Sequence, residues 1–241
     1  MPLPKLELPS YEIELPLSKK KLKYRPFVVK EQKNLLMAME ADDKESIEKN
    51  VKQVLTNCTL TEDVNIEKLP VIDVEYYFLN LRARSVGEVV ENSYRCNNEV
   101  NNEVCNNVMK TSLNILDIKV EMPKEDKSLI QLTDDITIKL RYPEYSVLKK
   151  ITKMDNVSDV AFEMIAECVE YICDGEQYYY SNEVSSQEMV EFIENLNQQQ
   201  FEKIENFFSE MPKLEKKIEM KCSKCGFDHT IRMEGLESFF G

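Results

Sequence analysis

The chain has 241 residues, 42% of them hydrophobic, which is enough to bury a sizeable core. Acidic residues outnumber basic ones 44 to 31, and the net charge of −13 disfavours a protein that grips phosphate backbones. With only five glycines there is neither a GxGxxG nor a GxxxxGK[ST] string, and no apolar run approaches the ~18 residues of a membrane span. Dinucleotide, P-loop and membrane-spanning classes fall away.

The opening MPLPKLELPS lacks the apolar centre of a secretory leader. Seven cysteines in such a chain point to a reducing compartment, where thiols bind metal or pack in cores. Tyr11–Leu15 and Leu22–Arg25 alternate apolar with charged residues around a Ser18-Lys-Lys-Lys turn, so residues 10–25 read as a β-hairpin. Its cluster of Lys19, Lys20, Lys21, Lys23 and Arg25 is the solvated side of that hairpin. Val29–Ala41 has helical spacing, with Leu35, Leu36 and Met39 on one face. Asp42-Asp43 caps a second helix that carries Ile47, Val51, Val54 and Leu55, and Cys58 packs at its end. Pro70 precedes a third helix, Val71–Arg84, in which Tyr76, Tyr77 and Phe78 supply core bulk.

Residues 86–142 change to a β-rich pattern, with strands expected at Val86–Arg95, Met109–Ile115, Ile118–Met122 and Ile136–Tyr142. After Pro143 the chain returns to helix, and Val157–Ile172 places Val160, Ile165, Val169 and Ile172 at core spacing. Cys168 and Cys173 read as core thiols. Asp174-Gly175 makes a turn into a short aromatic strand, Tyr178–Tyr180. Ser185-Ser-Gln-Glu188 is a capping box that opens a helix through Leu196. Asn197 begins the next helix, whose Phe201, Ile204, Phe207 and Phe208 form a stripe ending at Met211-Pro212. Leu214–Lys221 and His229–Met233 form a last hairpin, followed by a tail from Gly235 to Gly241.

The class is therefore α+β, with β-hairpins and a β-rich middle section between two helical groups and a zinc-ribbon-like C-terminal hairpin. Four sections follow along the chain: 1–85, 86–142, 143–213 and 214–241, the last packing back on the second as one composite unit.

The chemistry is concentrated in cysteine. Cys222-Ser-Lys-Cys225-Gly226, between two strands, aims two soft thiolates at one point, and the glycine permits the left-handed turn that follows. Two sulfurs do not close a structural site. Cys96 and Cys105, at the mouth of the middle hairpin, are the best remaining pair, although eight residues separate them. The ligand set is then Cys96, Cys105, Cys222 and Cys225 around a structural Zn²⁺. Rubredoxin-like iron has the same geometry, a redox pair normally opens a helix rather than joining strands, and unliganded thiols remain a third reading. His229 reads as a lone surface histidine with a second reading as ligand. Four thiolates leave no open coordination position, and the single histidine leaves no triad away from this knuckle, so no catalytic residue is assigned.

Several stretches follow one another in a characteristic order. They are Leu8-Pro-Ser-Tyr-Glu-Ile-Glu-Leu-Pro16, Lys23-Tyr-Arg-Pro-Phe-Val-Val-Lys-Glu31 leading to Leu35-Leu-Met-Ala-Met-Glu40, and Asp73-Val-Glu-Tyr-Tyr-Phe-Leu-Asn-Leu-Arg82 with Ser85-Val-Gly-Glu88. Gln200-Phe-Glu-Lys-Ile-Glu-Asn-Phe-Phe208 runs on to Met211-Pro-Lys-Leu214, and Gly235-Leu-Glu-Ser-Phe-Phe240 ends the set. Together they resemble the T4-like phage baseplate hub subunit family, the gene 26 type proteins of contractile tails. The resemblance implies a non-enzymatic hub component or hub assembly chaperone, with other baseplate hub or tail assembly proteins as partners; the acidic charge and the lack of a long apolar run speak against nucleic acid and membrane. It places the protein in the host cytoplasm during assembly, or in the virion at the tail baseplate. Tyr178–Tyr180 and Phe239-Phe240 are candidate contact surfaces. Zinc rests on this chain's own cysteine spacing rather than on the resemblance. The alternative is a zinc-ribbon nucleic-acid or transcription accessory protein, with Lys221, Lys224 and Arg232 on phosphate.

Overall fold

In the first hairpin, β1 (Tyr11–Glu14) pairs antiparallel with β2 (Lys21–Tyr24), placing Tyr11 opposite Tyr24 and Glu14 opposite Lys21. Leu22 and Tyr24 turn into the protein while the intervening lysines face water, as strand alternation requires. The computed structural model describes residues 6–40, 44–151 and 156–234. Asp42-Asp43 and the 235–241 tail, including Phe239-Phe240, lie outside them. Helices α1 (Val29–Glu40), α2 (Lys44–Cys58) and α3 (Val71–Val86) follow the hairpin. Their core contains Leu15, Leu22, Tyr24, Leu55, Tyr77 and Leu81. Tyr77 is fully buried and Phe78 nearly so, which makes this aromatic run core.

Two buried polar arrangements fix this part. The Arg25 guanidinium grips both oxygens of Glu31, at 2.8 and 3.0 Å, with the Cys58 thiol 3.6 Å from the arginine. Burial pushes Cys58 up to about 12, so it packs as a neutral thiol. The fully buried Asp73 carboxylate accepts from the Leu17 and Ser18 backbone N–H groups, both at 2.8 Å, and ties the hairpin loop to the start of α3. The Arg25–Glu31 grip also sets the rotation of α1. Its inward face is Glu31, Leu35 and Ala38. Leu36 and Met39, expected beside Leu35, are 52% and 54% exposed.

The middle strands divide among separate sheets. β3 (Val89–Arg95) pairs with β6 (Val108–Asn114), and the miniature hairpin β4 (Glu99–Val100) and β5 (Glu103–Val104) projects between them. β7 (Val120–Glu121) instead joins the C-terminal hairpin. β8 (Leu129–Gln131) and β9 (Ile136–Leu140) enter a four-stranded sheet ordered β11-β10-β9-β8, completed by β10 (Val169–Asp174) and β11 (Gln177–Tyr180). The helix expected over Val157–Ile172 therefore stops early. After α4 (Tyr145–Ile151), α5 is Val157–Cys168, and Val169 begins β10. Val169, Tyr171 and Ile172 favour extended backbone, β9 offers them a pairing edge, and Gly175 at φ 60 makes the turn to β11.

Ile130, Ile138 and Ile172 on one face of this sheet pack against α5, α6 (Ser186–Glu194) and α7 (Gln198–Ser209). Complete capping boxes open both α6, through Ser185 and Glu188, and α7, through Asn197 and Gln200. Ile204 and Phe207 are buried, so the stripe on α7 is core. The chain ends its described course in β12 (Lys213–Lys221) and β13 (Asp228–Glu234), with β7 alongside β12. At their bases the two hairpins share a core on α3: Val90 and Leu113 from one, Leu214 and Met233 from the other, against Ile72, Leu79 and Ala83. Helices combined with antiparallel sheets make the fold α+β. Among the described residues no helix is long and apolar enough to cross a membrane.

Candidate metal centre

Because α3 holds both hairpin bases, their tips lie together. Cys96 directly follows β3 and Cys105 precedes β6, while Cys222 and Cys225 occupy the β12–β13 loop. The four sulfurs lie within 4.8 Å of one another. Cys96 Sγ is 3.6 Å from Cys225 Sγ, and Cys105 Sγ is 3.8 Å from Cys222 Sγ. Four sulfurs at ~2.3 Å from one tetrahedral ion stand about 3.8 Å apart, so these spacings fit a zinc tetrahedron. They exceed the ~2.0 Å of a disulfide. Three of the thiols are buried, and Cys225 is half-buried.

The two tips have the same backbone plan. In the C-terminal one, Cys222 N–H donates to Phe227 O at 2.8 Å, Gly226 N–H donates to Cys222 O at 2.9 Å, and Gly226 has φ 75. In the other, Cys96 N–H donates to Asn107 O at 2.9 Å, Asn106 N–H donates to Cys96 O at 3.0 Å, and Asn106 has φ 55. Asn106 therefore fills the left-handed position that Gly226 fills opposite, a conformation asparagine tolerates better than most residues. The long gap between Cys96 and Cys105 is taken up by β4–β5, turned by Asn101 and Asn102 at φ 54 and 64. The first tip is a knuckle with a hairpin inserted into it. Its asparagine-rich composition was the available signal, and the cysteine spacing alone concealed it.

The polar groups around the sulfurs are donors. Asn107 Nδ2 lies 3.5 Å from Cys222 Sγ and Asn98 Nδ2 lies 3.7 Å from Cys225 Sγ. Lys224 Nζ donates to Cys105 O at 3.2 Å and links the two loops. His229 has a closer role than a lone surface residue: Nε2 is 3.1 Å from Cys96 Sγ, and the ring packs edge-on against Phe227. Backbone N–H groups, that of Cys225 first, bring Cys222 down to about 6, whereas burial pushes Cys96 up to about 12. Lys221 and Arg232, phosphate contacts under the nucleic-acid reading, face Asp228 at 3.9 Å and Glu215 at 3.1 Å.

The arrangement can hold a four-coordinate metal and offers it no open position for a substrate or a water. Such a centre fastens one hairpin to the other. By its sequence the chain falls in the class of phage tail baseplate proteins. It belongs to the T4 bacteriophage base plate protein family, which it matches over residues 8–241. It is 26% identical over 231 residues to the baseplate hub assembly protein gp26 of Enterobacteria phage T4, a match spanning 95% of this chain and 97% of that protein. No solved structure matches the chain.

Proposed function

We propose that this chain acts without catalysis in building the baseplate hub of a contractile-tailed phage, as a hub component or as a hub assembly chaperone. The near end-to-end similarity to a baseplate hub assembly protein carries this reading. Within it, the four-cysteine cluster is a structural zinc centre, held by Cys96, Cys105, Cys222 and Cys225, and the β12–β13 hairpin is zinc-ribbon-like. The zinc contributes folding free energy at the hairpin tips and presents them as one rigid end to other hub or tail assembly proteins. The host cytoplasm is the site of action during assembly.

A phage deleted for this gene tests the role. Infected cells should accumulate tail parts without complete hubs, and the wild-type gene supplied in trans should restore them. Normal baseplates in the deletion would contradict the reading. Mass spectrometry of purified baseplates then distinguishes the two forms, since a hub component remains in them and a chaperone does not.

A further inference from the structure

A second feature lies away from the metal centre, where α3 meets the chain entering α4 and the chain entering β12. A cavity of about 220 Å³ opens there, walled by Ile72, Tyr142, Pro143, Met211 and Leu214, with Glu75 on its lining. Glu75 is half-buried, and among the described residues no hydrogen bond or ion pair reaches its carboxylate. Lys213 also borders the cavity. The contrast with Asp73, two residues earlier on α3 and bonded by two backbone N–H groups, is direct.

We infer that this cavity is an anchor socket for a lysine or arginine side chain of a partner protein, with Glu75 as its counter-ion. The chemistry selects that occupant. Apolar walls suit a methylene stem and the carboxylate suits a cationic head, the division these long side chains show at protein surfaces. A purely apolar group would leave the carboxylate unpaired, and a phosphate or carboxylate ligand would be repelled. A bare Mg²⁺ or Ca²⁺ needs about six oxygen ligands, which one carboxylate does not supply. The surroundings favour a side chain on a polypeptide over a free small cation. Met211 and Lys213 also line an adjoining cleft of about 540 Å³, which gives the rest of a bound segment a path along the surface. Because the walls come from three separate parts of the chain, an occupied socket also braces them against one another. The inference does not depend on the metal centre.

Side-chain stand-ins test it on the full-length protein. n-Butylguanidinium and n-butylammonium are titrated at pH 8, above the range in which Glu75 holds its proton, against methyl-labelled protein, with n-butanol as the neutral comparator. The cations should cause saturable shifts at the Ile72, Met211 and Leu214 methyls, binding roughly tenfold more tightly than the alcohol, the scale of one charge-assisted hydrogen bond. Glu75→Gln should bring the cations down to the level of the alcohol while methyls of the Ile138 and Ile172 core stay in place. Equal binding of alcohol and cation, cation binding that survives Glu75→Gln, or no shift at these methyls would each overturn the inference. The cation-against-alcohol comparison in the unmodified chain stands whether or not the variant folds.

Discussion

Stripping the metal should loosen the hairpin tips and leave the rest of the fold standing. The bases of both hairpins are held by the core on α3, through Val90, Leu113, Leu214 and Met233. The tips have little beyond the cysteines: Met109 is buried there, with Tyr94 and Met220 packed partly against it. Full burial of a methionine contributes about 2 kcal/mol, and two half-buried neighbours bring the tip to about 4 kcal/mol. A structural zinc contributes on the order of 10 kcal/mol. Its loss therefore costs the tips on the order of 10 kcal/mol, roughly 10⁷-fold in their opening equilibrium, and leaves only about 4 kcal/mol of packing to hold them. Hydrogen exchange with and without a chelator reads this directly. The amides of Cys96, Cys105, Cys222 and Gly226, each bonded to a carbonyl within its own knuckle, should lose protection. Those of Ile138 and Ile172, inside the four-stranded sheet, should not. Global unfolding on chelation would refute the claim that the metal staples only the tips, and unchanged exchange at the knuckles would refute the staple itself.

Three other perturbations follow from the same structure. Asp73→Ala leaves the Leu17 and Ser18 N–H groups without their charged acceptor, and urea unfolding should show a loss of about 3 kcal/mol; a loss under ~1 kcal/mol would mean water replaces the carboxylate. Burial pushes Glu75 up to about 7, so the folded protein holds a proton that the unfolded chain releases from about pH 4.5 upward. Its contribution to stability is then fully present below that range and is lost as pH rises through about 7. Glu75→Gln should accordingly be the more stable protein at pH 8, by on the order of 3 kcal/mol, with no advantage at pH 4. An equal difference at both pH values would refute the assignment. Gly226→Asn should retain metal, since Asn106 already occupies the equivalent left-handed position, whereas Gly226→Val should lose it; elemental analysis of the two variants decides.

What could be read in the sequence was what local chemistry determines. Alternating Lys and Leu in β2, the Ser185 capping box and the Asp174-Gly175 turn each specify their own backbone, and each element is found where those residues place it. The Val169–Asp174 strand was hidden because Val160, Ile165, Val169 and Ile172 also satisfy helical spacing, and only the edge of β9 decides between the two. Leu36 and Met39 face outward because Glu31 of α1 is gripped by Arg25, which lies just after β2, outside the helix whose spacing alone set the expected face. At the candidate metal centre, the Cys222/Cys225 half was plain from its spacing. The Cys96/Cys105 half was obscured by an inserted hairpin whose turn depends on asparagines in left-handed conformations. The donors Asn98 and Asn107 could not be read, because nothing local relates them to sulfurs more than a hundred residues away, and His229, whose second reading is as a ligand, lies against Cys96.

The centre itself is most directly tested by zinc K-edge X-ray absorption on protein purified without added metal. One zinc per chain with four sulfur neighbours at about 2.3 Å is the expected result. A nitrogen neighbour near 2.0–2.1 Å in place of one sulfur would put His229 in the coordination sphere, and protein free of zinc would contradict the staple altogether.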